Sequence, residues 1–285
     1  MTSDGESVFS THSVGEVLGW GLPRLRDLPW RRTRDPWAIL VSEVMLQQTQ
    51  VPRVIPKWLA FMDAYPTPAD CAATALGDVL RLWQGLGYPR RARNLQLAAM
   101  EVTRLGGFPT TLEQLLALPG VGQYTARAVM TFAFESDVAV VDTNIARVFA
   151  RVGGSALTVK QVQSAADRAQ PPGMSWEWNQ CLMELGAVLC RPTPNCADCP
   201  LVARCAWHGV GPDPAIGSAG VSRPQSRFEG SERQARGRLL QALTSGPVSA
   251  SAASAVMLHA AADRLLRALC DEGLVQRDGE FVRLP

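Results

Sequence analysis

The 285-residue sequence predicts a mainly α-helical protein that ends in a small module of helices and a hairpin. Three observations carry that expectation. Apolar residues recur at spacings of three and four in one segment after another, strand-like alternation is scarce before the C-terminus, and short Gly/Pro stretches such as "YPTP", "GGFPT" and "LPGVG" separate the periodic segments. A chain that is 47% hydrophobic and 19% charged is ordinary for a folded protein, and this length can bury one large core or two to three smaller ones.

Taken in order, the N-terminal "MTSDGESVFSTHSV" lacks a basic start followed by an apolar run, and no stretch reaches the length of a membrane span. The expected location is therefore the cytoplasm, or the nucleoid if the source is bacterial, with no membrane partner and a monomeric state. Helical periodicity then marks "SEVMLQQ", "LGDVLRLWQGL", "RARNLQLAAMEVTRL", "TLEQLLAL", "YTARAVMTFAF", "TNIARVFARV" and "WNQCLMELGAVLC". Residues 209–230 are rich in Gly, Pro and Ser and read as a linker. Beyond it, residues 231–285 carry two amphipathic helices, "ERQARGRLLQALTSG" and "AADRLLRALCDEG", and a hairpin turning on Asp278-Gly279. That order predicts a small winged-helix-like module, with a helical packing appendage as the alternative.

Within "WAILVSEVMLQQTQV" a single carboxylate, Glu43, interrupts an apolar run. On a helix its neighbours three and four positions away are Ile39, Leu40, Leu46 and Gln47, three of them apolar. A carboxyl group desolvated in this way holds a proton near neutral pH and can deliver it as a general acid, whereas at a helix edge it would only cap or pair. In "LEQLLALPGVGQYTARAVM" one helix stops at Pro119, turns through Gly120, Val121 and Gly122, and a second begins near Gln123. This helix–hairpin–helix pattern is either a tight connection or a phosphate cradle, because glycines allow close approach and a helix N-terminus presents unpaired N–H groups. Asp142 stands directly before the helix of "TNIARVFARV", the position of an N-cap. Held by backbone donors, it would stay ionised and could stabilise a developing cation. Tyr124, one residue into the second hairpin helix, is either a core residue or an exposed group that stacks or hydrogen-bonds.

The net charge of +2 is too mild to argue for nucleic acid by itself, but Arg81, Arg90, Arg91, Arg93 and Arg104 face the single acid Glu101 between residues 81 and 104. Such a cluster is a solvated helix face or a phosphate-binding patch. Four of the seven cysteines, Cys190, Cys196, Cys199 and Cys205, fall in one short stretch with five, two and five residues between them. In a reducing compartment this pattern points to metal, and the spacing alone leaves zinc and iron–sulfur open. Cys71, Cys181 and Cys270 are isolated and are given no role.

Together, "LPWR", "ILVSEVMLQQTQV", "LWQGLGYPRRARNL", "ALPGVGQYTARAV", "VVDTNIARV", "WNQCLMELGAVLC" and the cysteine stretch resemble the adenine DNA glycosylases of the MutY type, within the endonuclease III helix–hairpin–helix superfamily. The resemblance covers about residues 28–208 in the family's order. It implies a two-lobed catalytic region over residues 1–208, with a six-helix lobe at about 36–150, an iron–sulfur lobe built from about 8–35 and 151–208, and the active site in the cleft between them. By the same resemblance Glu43 matches the acid that protonates adenine and Asp142 the carboxylate that stabilises the sugar cation, while Tyr124 and Asn144 line the pocket. Gln48 and Tyr88 match residues that enter the duplex. Gly120, Val121, Gly122, Arg90, Arg91 and Arg93 would hold its phosphates, and the four cysteines would bind a [4Fe–4S] cluster. The implied partner is double-stranded DNA with a mismatched or damaged base pair, and the implied reaction is hydrolysis of the N-glycosidic bond of adenine opposite 8-oxoguanine or guanine.

Three departures refine this. Five residues rather than the family's six separate Cys190 from Cys196; Tyr124 stands where strand-cleaving relatives carry a lysine, which predicts a monofunctional enzyme; and the tail after residue 230 is too short for a Nudix-like domain. The rival readings are a thymine or uracil mismatch glycosylase, which has less need of the Glu43 acid, and a non-catalytic iron–sulfur DNA-binding protein, which has no need of two carboxyl groups.

Overall fold

The structure is a computed structural model that describes residues 8–221 and 226–285. The first seven residues of the expected catalytic region and residues 222–225 of the expected linker lie outside the described residues. Helices dominate as the periodicity predicts. In chain order they are α1 (Thr11–Gly21), α2 (Pro36–Leu46), α3 (Val51–Ala64), α4 (Pro68–Ala73), α5 (Leu76–Trp83), α6 (Arg90–Leu105), α7 (Leu112–Leu116), α8 (Gln123–Phe132), α9 (Thr143–Gly153), α10 (Val159–Ala169) and α11 (Ser175–Val188). The C-terminal module follows with α12 (Glu232–Thr244), strand β1 (Val248–Ser249), α13 (Ala250–Met257), α14 (Ala262–Asp271), β2 (Gln276–Asp278) and β3 (Phe281–Arg283). Its strands form one antiparallel sheet in the order β1-β3-β2, and Gly279 takes the positive φ of 58° that the β2–β3 turn needs.

Several elements escape the sequence pattern for identifiable reasons. In α3, Pro52 sits in the first turn, where its missing N–H costs nothing, and Pro56 lies inside the helix, so the prolines read as breakers although both are accommodated. In α1 three glycines dilute the apolar stripe, and α13 is almost entirely Ala and Ser. Helix α2 begins at Pro36, six residues before the periodic segment, and ends at Leu46.

The chain packs as two compact units, Met1–Pro36 with Gly122–Arg223, and Trp37–Val121 with Pro224–Pro285. In the first, Phe9 lies edge-on to Phe149 and Trp178, with ring centroids 5.0 and 5.3 Å apart, and Val17, Leu182 and Leu185 complete the core. The stretch 209–221 has no regular element but is pinned to this unit. Asp213 pairs with Arg151 at 2.6 Å, and the Ala219 N–H donates to the Leu157 carbonyl at 2.8 Å. In the second unit α2 is buried on all sides from Trp37 to Met45, which makes it the central helix. Its Trp37 packs against Phe61, which in turn meets Tyr65 and Trp83, and the indole N–H groups of Trp37 and Trp58 donate to the carbonyls of Tyr65 and Ala38 at 3.0 and 2.9 Å. The fold is thus mainly helical with a C-terminal β-containing module, but the iron–sulfur loop expected as part of it is corrected below.

Candidate functional site

Glu43 lies in the middle of α2 and is only 5% exposed, so the desolvated placement read from its neighbours is the one the fold adopts. The end of its helix is built unusually. The guanidinium of Arg91, from the first turn of α6, donates to the carbonyls of Val44, Met45 and Gln47 at 2.7, 3.1 and 2.6 Å, which satisfies the orphan acceptors of the last turn of α2. Its other terminal nitrogen donates to the Leu86 and Gly87 carbonyls at 2.9 and 3.1 Å and to the Thr49 hydroxyl at 3.2 Å. Burial pushes the Arg91 pKa down to about 10, so the group remains charged at neutral pH.

Arg91 is therefore not a free phosphate ligand. It is a strut that joins the turn after α2 to the turn before α6. These two turns carry Gln48 and Tyr88, and both residues have left-handed backbones, φ 55° and 49°, that cost a non-glycine residue about 1–3 kcal/mol each. Gln48 is exposed and Tyr88 half-buried, with the Arg91 guanidinium 5.4 Å from the Tyr88 ring centroid. Of the other expected phosphate contacts, Arg90 is exposed and lies 4.0 Å from Glu272, while Arg93 runs beside Gly273, where a Cβ would sit 3.3 Å from its Nε.

In the hairpin the two glycines have different reasons. Gly120 has φ 76°, and a Cβ there would lie 2.6 Å from the Cβ of Asn94 on α6, so both conformation and space exclude a side chain. Gly122 is the N-cap of α8 with φ −99°, and nothing lies within 4 Å of a Cβ built on it. Its bareness leaves the N-terminus of α8 open. Val121 is buried, and Leu40, Val44, Asn94, Leu95, Pro119 and Gly120 line a small cavity between α2, α6 and the turn.

Asp142 caps α9 as its position implies. One carboxylate oxygen accepts the Ile145 N–H at 2.7 Å, and the other accepts from the Asn144 amide at 3.0 Å. Burial nevertheless raises its pKa, against the pull of those donors, so it is protonated more easily than the sequence reading expects. Three supports of this pair were missed from the sequence. Arg147, one turn along α9, donates to the Asn144 side-chain oxygen at 2.7 Å and to the carbonyls of Gly186 and Cys190 at 2.8 and 2.6 Å. Gly186 lets α11 come close, since a Cβ there would lie 2.5 Å from that of Asn144. Asn179, buried on α11, accepts the Val140 N–H at 2.9 Å and so pins the extended lead-in to Asp142. The lone glycine in "MELGAVLC" was the available signal for a close approach. Tyr124 is half-buried on α8.

The cofactor expectation does not hold. Cys190, Cys196, Cys199 and Cys205 line one cavity, yet among the described residues no group of three or more His, Cys, Asp or Glu side chains could hold a metal ion. Two of the thiols serve local bonds instead. Arg151 donates to the Cys190 sulfur at 3.4 Å, and the Cys205 thiol donates to the Arg151 carbonyl at 3.3 Å. Burial raises the Cys190 pKa and pushes that of Cys199 up to about 11. The [4Fe–4S] cluster, the metal-binding assignment of these four residues and the iron–sulfur loop of the fold are corrected accordingly. Among the described residues no helix is long and apolar enough to cross a membrane.

A profile described as HhH-GPD superfamily base excision DNA repair protein matches residues 41–172. An adenine DNA glycosylase of Mycolicibacterium smegmatis is 41% identical over 93% of this chain and 94% of its own length, and one of Mycobacterium tuberculosis is 41% identical over 93% and 91%. Human adenine DNA glycosylase is 43% identical over 67% of this chain and 38% of its own length. Among solved structures, a thermostable thymine-DNA glycosylase superposes with a TM-score of 0.66 at 32% identity over 68% of this chain and 94% of that one. An endonuclease III trapped with DNA superposes at 0.62 and 25% identity over 69% and 94%. With a buried carboxyl on α2, a bare-glycine hairpin and a capping aspartate before α9, these likenesses establish that the chain belongs to the HhH-GPD superfamily of base excision DNA repair proteins, beside its adenine DNA glycosylases.

Proposed function

We propose that the protein is a monofunctional adenine DNA glycosylase that hydrolyses the N-glycosidic bond of adenine opposite 8-oxoguanine or guanine in double-stranded DNA. The observation that carries this reading is the burial of Glu43 on the central helix α2. Adenine leaves poorly as an anion, so cleavage requires a proton on the ring and stabilisation of the cationic sugar. Glu43 supplies the proton, and Asp142 supplies the negative charge, which is poised by the Ile145 N–H and the Asn144 amide. The stacked base is unreachable, so the nucleotide must be extruded; Gln48 and Tyr88 occupy the space it leaves. The open N-terminus of α8 at Gly122 receives a phosphate, Tyr124 lines the pocket, and the absence of a lysine at that position leaves no amine for Schiff-base strand cleavage. Relatives that bear the name adenine DNA glycosylase and align over nearly the whole chain support the choice of base.

One observation favours a second reading. The thymine-DNA glycosylase fold is similar at 32% identity, and a pyrimidine needs less ring protonation. An excision panel pairing A, T and U with G and 8-oxoguanine decides between them. Adenine release that Glu43→Gln abolishes while DNA affinity persists is the expected result; thymine release that survives Glu43→Gln would replace the adenine reading.

A further inference from the structure

Unit Trp37–Val121 with Pro224–Pro285 joins the C-terminal module to the helices that flank the turns of Gln48 and Tyr88. The contact is specific. The Gly77 N–H at the start of α5 donates to the carbonyl of Pro285 at 2.7 Å, and a Cβ on Gly77 would lie 2.6 Å from that oxygen, so only a glycine admits this carbonyl. Glu272, just past α14, takes a two-pronged pair from Arg236 on α12 and also faces Arg90 of α6. Gly273 leaves room for Arg93. This docking brings the first turn of α12 to Tyr88. Arg233 donates from one terminal nitrogen to the Tyr88 hydroxyl at 3.0 Å and from the other to the Ser226 carbonyl at 2.7 Å.

Tyr88 is thus gripped twice. Arg91 lies against its ring and bonds the carbonyl of the preceding Gly87, while Arg233 holds its hydroxyl. A tyrosine with a left-handed backbone and a guanidinium on its hydroxyl has little rotamer freedom left to lose when it inserts. We propose that Arg233 is a positioning residue for Tyr88, so that the C-terminal module sets the side chain that enters the duplex. This rests on the reading above that Tyr88 enters the duplex.

The test is a double-mutant cycle in the full-length protein with Arg233→Ala, Tyr88→Phe and the double variant, together with Arg233→Lys and Tyr88→Ala. The readout is the ratio of affinities for a duplex with a non-hydrolysable 2′-fluoro-adenosine opposite 8-oxoguanine and for a matched duplex, with the thermal midpoint measured alongside. The charge-assisted bond is partly solvated, so Arg233→Ala should lower this ratio by about fivefold. Tyr88→Phe, which leaves Arg233 and the docking intact, should lose the same factor, the double variant should lose no more, and Arg233→Lys should recover part of it at an unchanged midpoint. Independent losses that multiply to about 25-fold would overturn the proposal. So would a Tyr88→Ala loss that Arg233→Ala and Tyr88→Phe do not share. An unchanged ratio in Tyr88→Ala would instead remove the duplex-entry role itself, and this inference with it.

Discussion

Replacing Arg91 by Ala tests whether this arginine is a strut or a phosphate ligand. The four N–H groups on its terminal nitrogens serve five backbone carbonyls, and the acceptors on α2 belong to the most buried helix of its unit. At about 1 kcal/mol for each of the four N–H donors, less about 1 kcal/mol for the Nε–H that is buried without a partner, the loss is about 3 kcal/mol. For a chain of this size that lowers the thermal midpoint by about 6–12 °C. The assay is denaturant-induced unfolding of wild type, Arg91→Ala and Arg91→Lys, paired with the salt dependence of DNA binding. Lysine should recover less than half of the loss, because an ammonium on a flexible stem cannot span both turns. An Arg91→Ala protein that unfolds within about 0.5 kcal/mol of wild type but binds DNA with a salt slope smaller by about one would show the arginine on a phosphate and refute the strut.

Asp142→Asn keeps an acceptor for the Ile145 N–H, so it should unfold within about 0.5 kcal/mol of wild type yet lose excision in single-turnover assays, whereas Asp142→Ala should also lose about 1 kcal/mol of capping. Because burial raises the Asp142 pKa above 3.8, the folded chain binds this proton more tightly than the unfolded chain, and the carboxyl's contribution to stability falls as pH rises from 3.8 through the folded value. The difference in unfolding free energy between wild type and Asp142→Asn, followed against pH, should show that decline, and a difference that instead rises with pH would reverse the sign of the shift. Gly120→Ala, strained at φ 76° and in collision with Asn94, should cost more than about 1 kcal/mol in denaturant unfolding. Gly122→Ala should leave stability within about 0.5 kcal/mol but weaken DNA binding at low salt, since its methyl would stand where a phosphate approaches. Gly186→Ala, 2.5 Å from the Asn144 Cβ, should slow excision and destabilise the fold together, measured by single-turnover rates and a thermal melt.

Much of the molecule was legible because its signals are local. Periodic apolar residues place α5, α6, α8, α9 and α11, and an aspartate before "TNIAR" caps a helix whatever surrounds it. The glutamate inside "WAILVSEVMLQQT" announced a buried carboxyl, since a helix apolar on every side has nowhere to put it but the interior. The prolines of α3 concealed a helix because their cost depends on which N–H groups are already unpaired.

The role of Arg91 could not be read because its carbonyl acceptors belong to residues 44, 45, 47, 86 and 87, and a carbonyl carries no residue identity. The same limit hid Arg147 behind Asn144 and Arg233 behind Tyr88, pairs that only packing brings together. Spacing placed four cysteines in one short stretch, but ligation depends on where the sulfurs point, and here the packing leaves all four half-buried and bonds two of them, Cys190 and Cys205, to Arg151. The chemistry the chain can attempt was written in its residues: an acid, a carboxylate and a bare-glycine turn. Which arginines carry the frame, and that Arg233 of the C-terminal module meets the Tyr88 hydroxyl, was decided by tertiary structure, because hydrogen-bond partners and desolvation are properties of neighbours in space and not of neighbours in sequence.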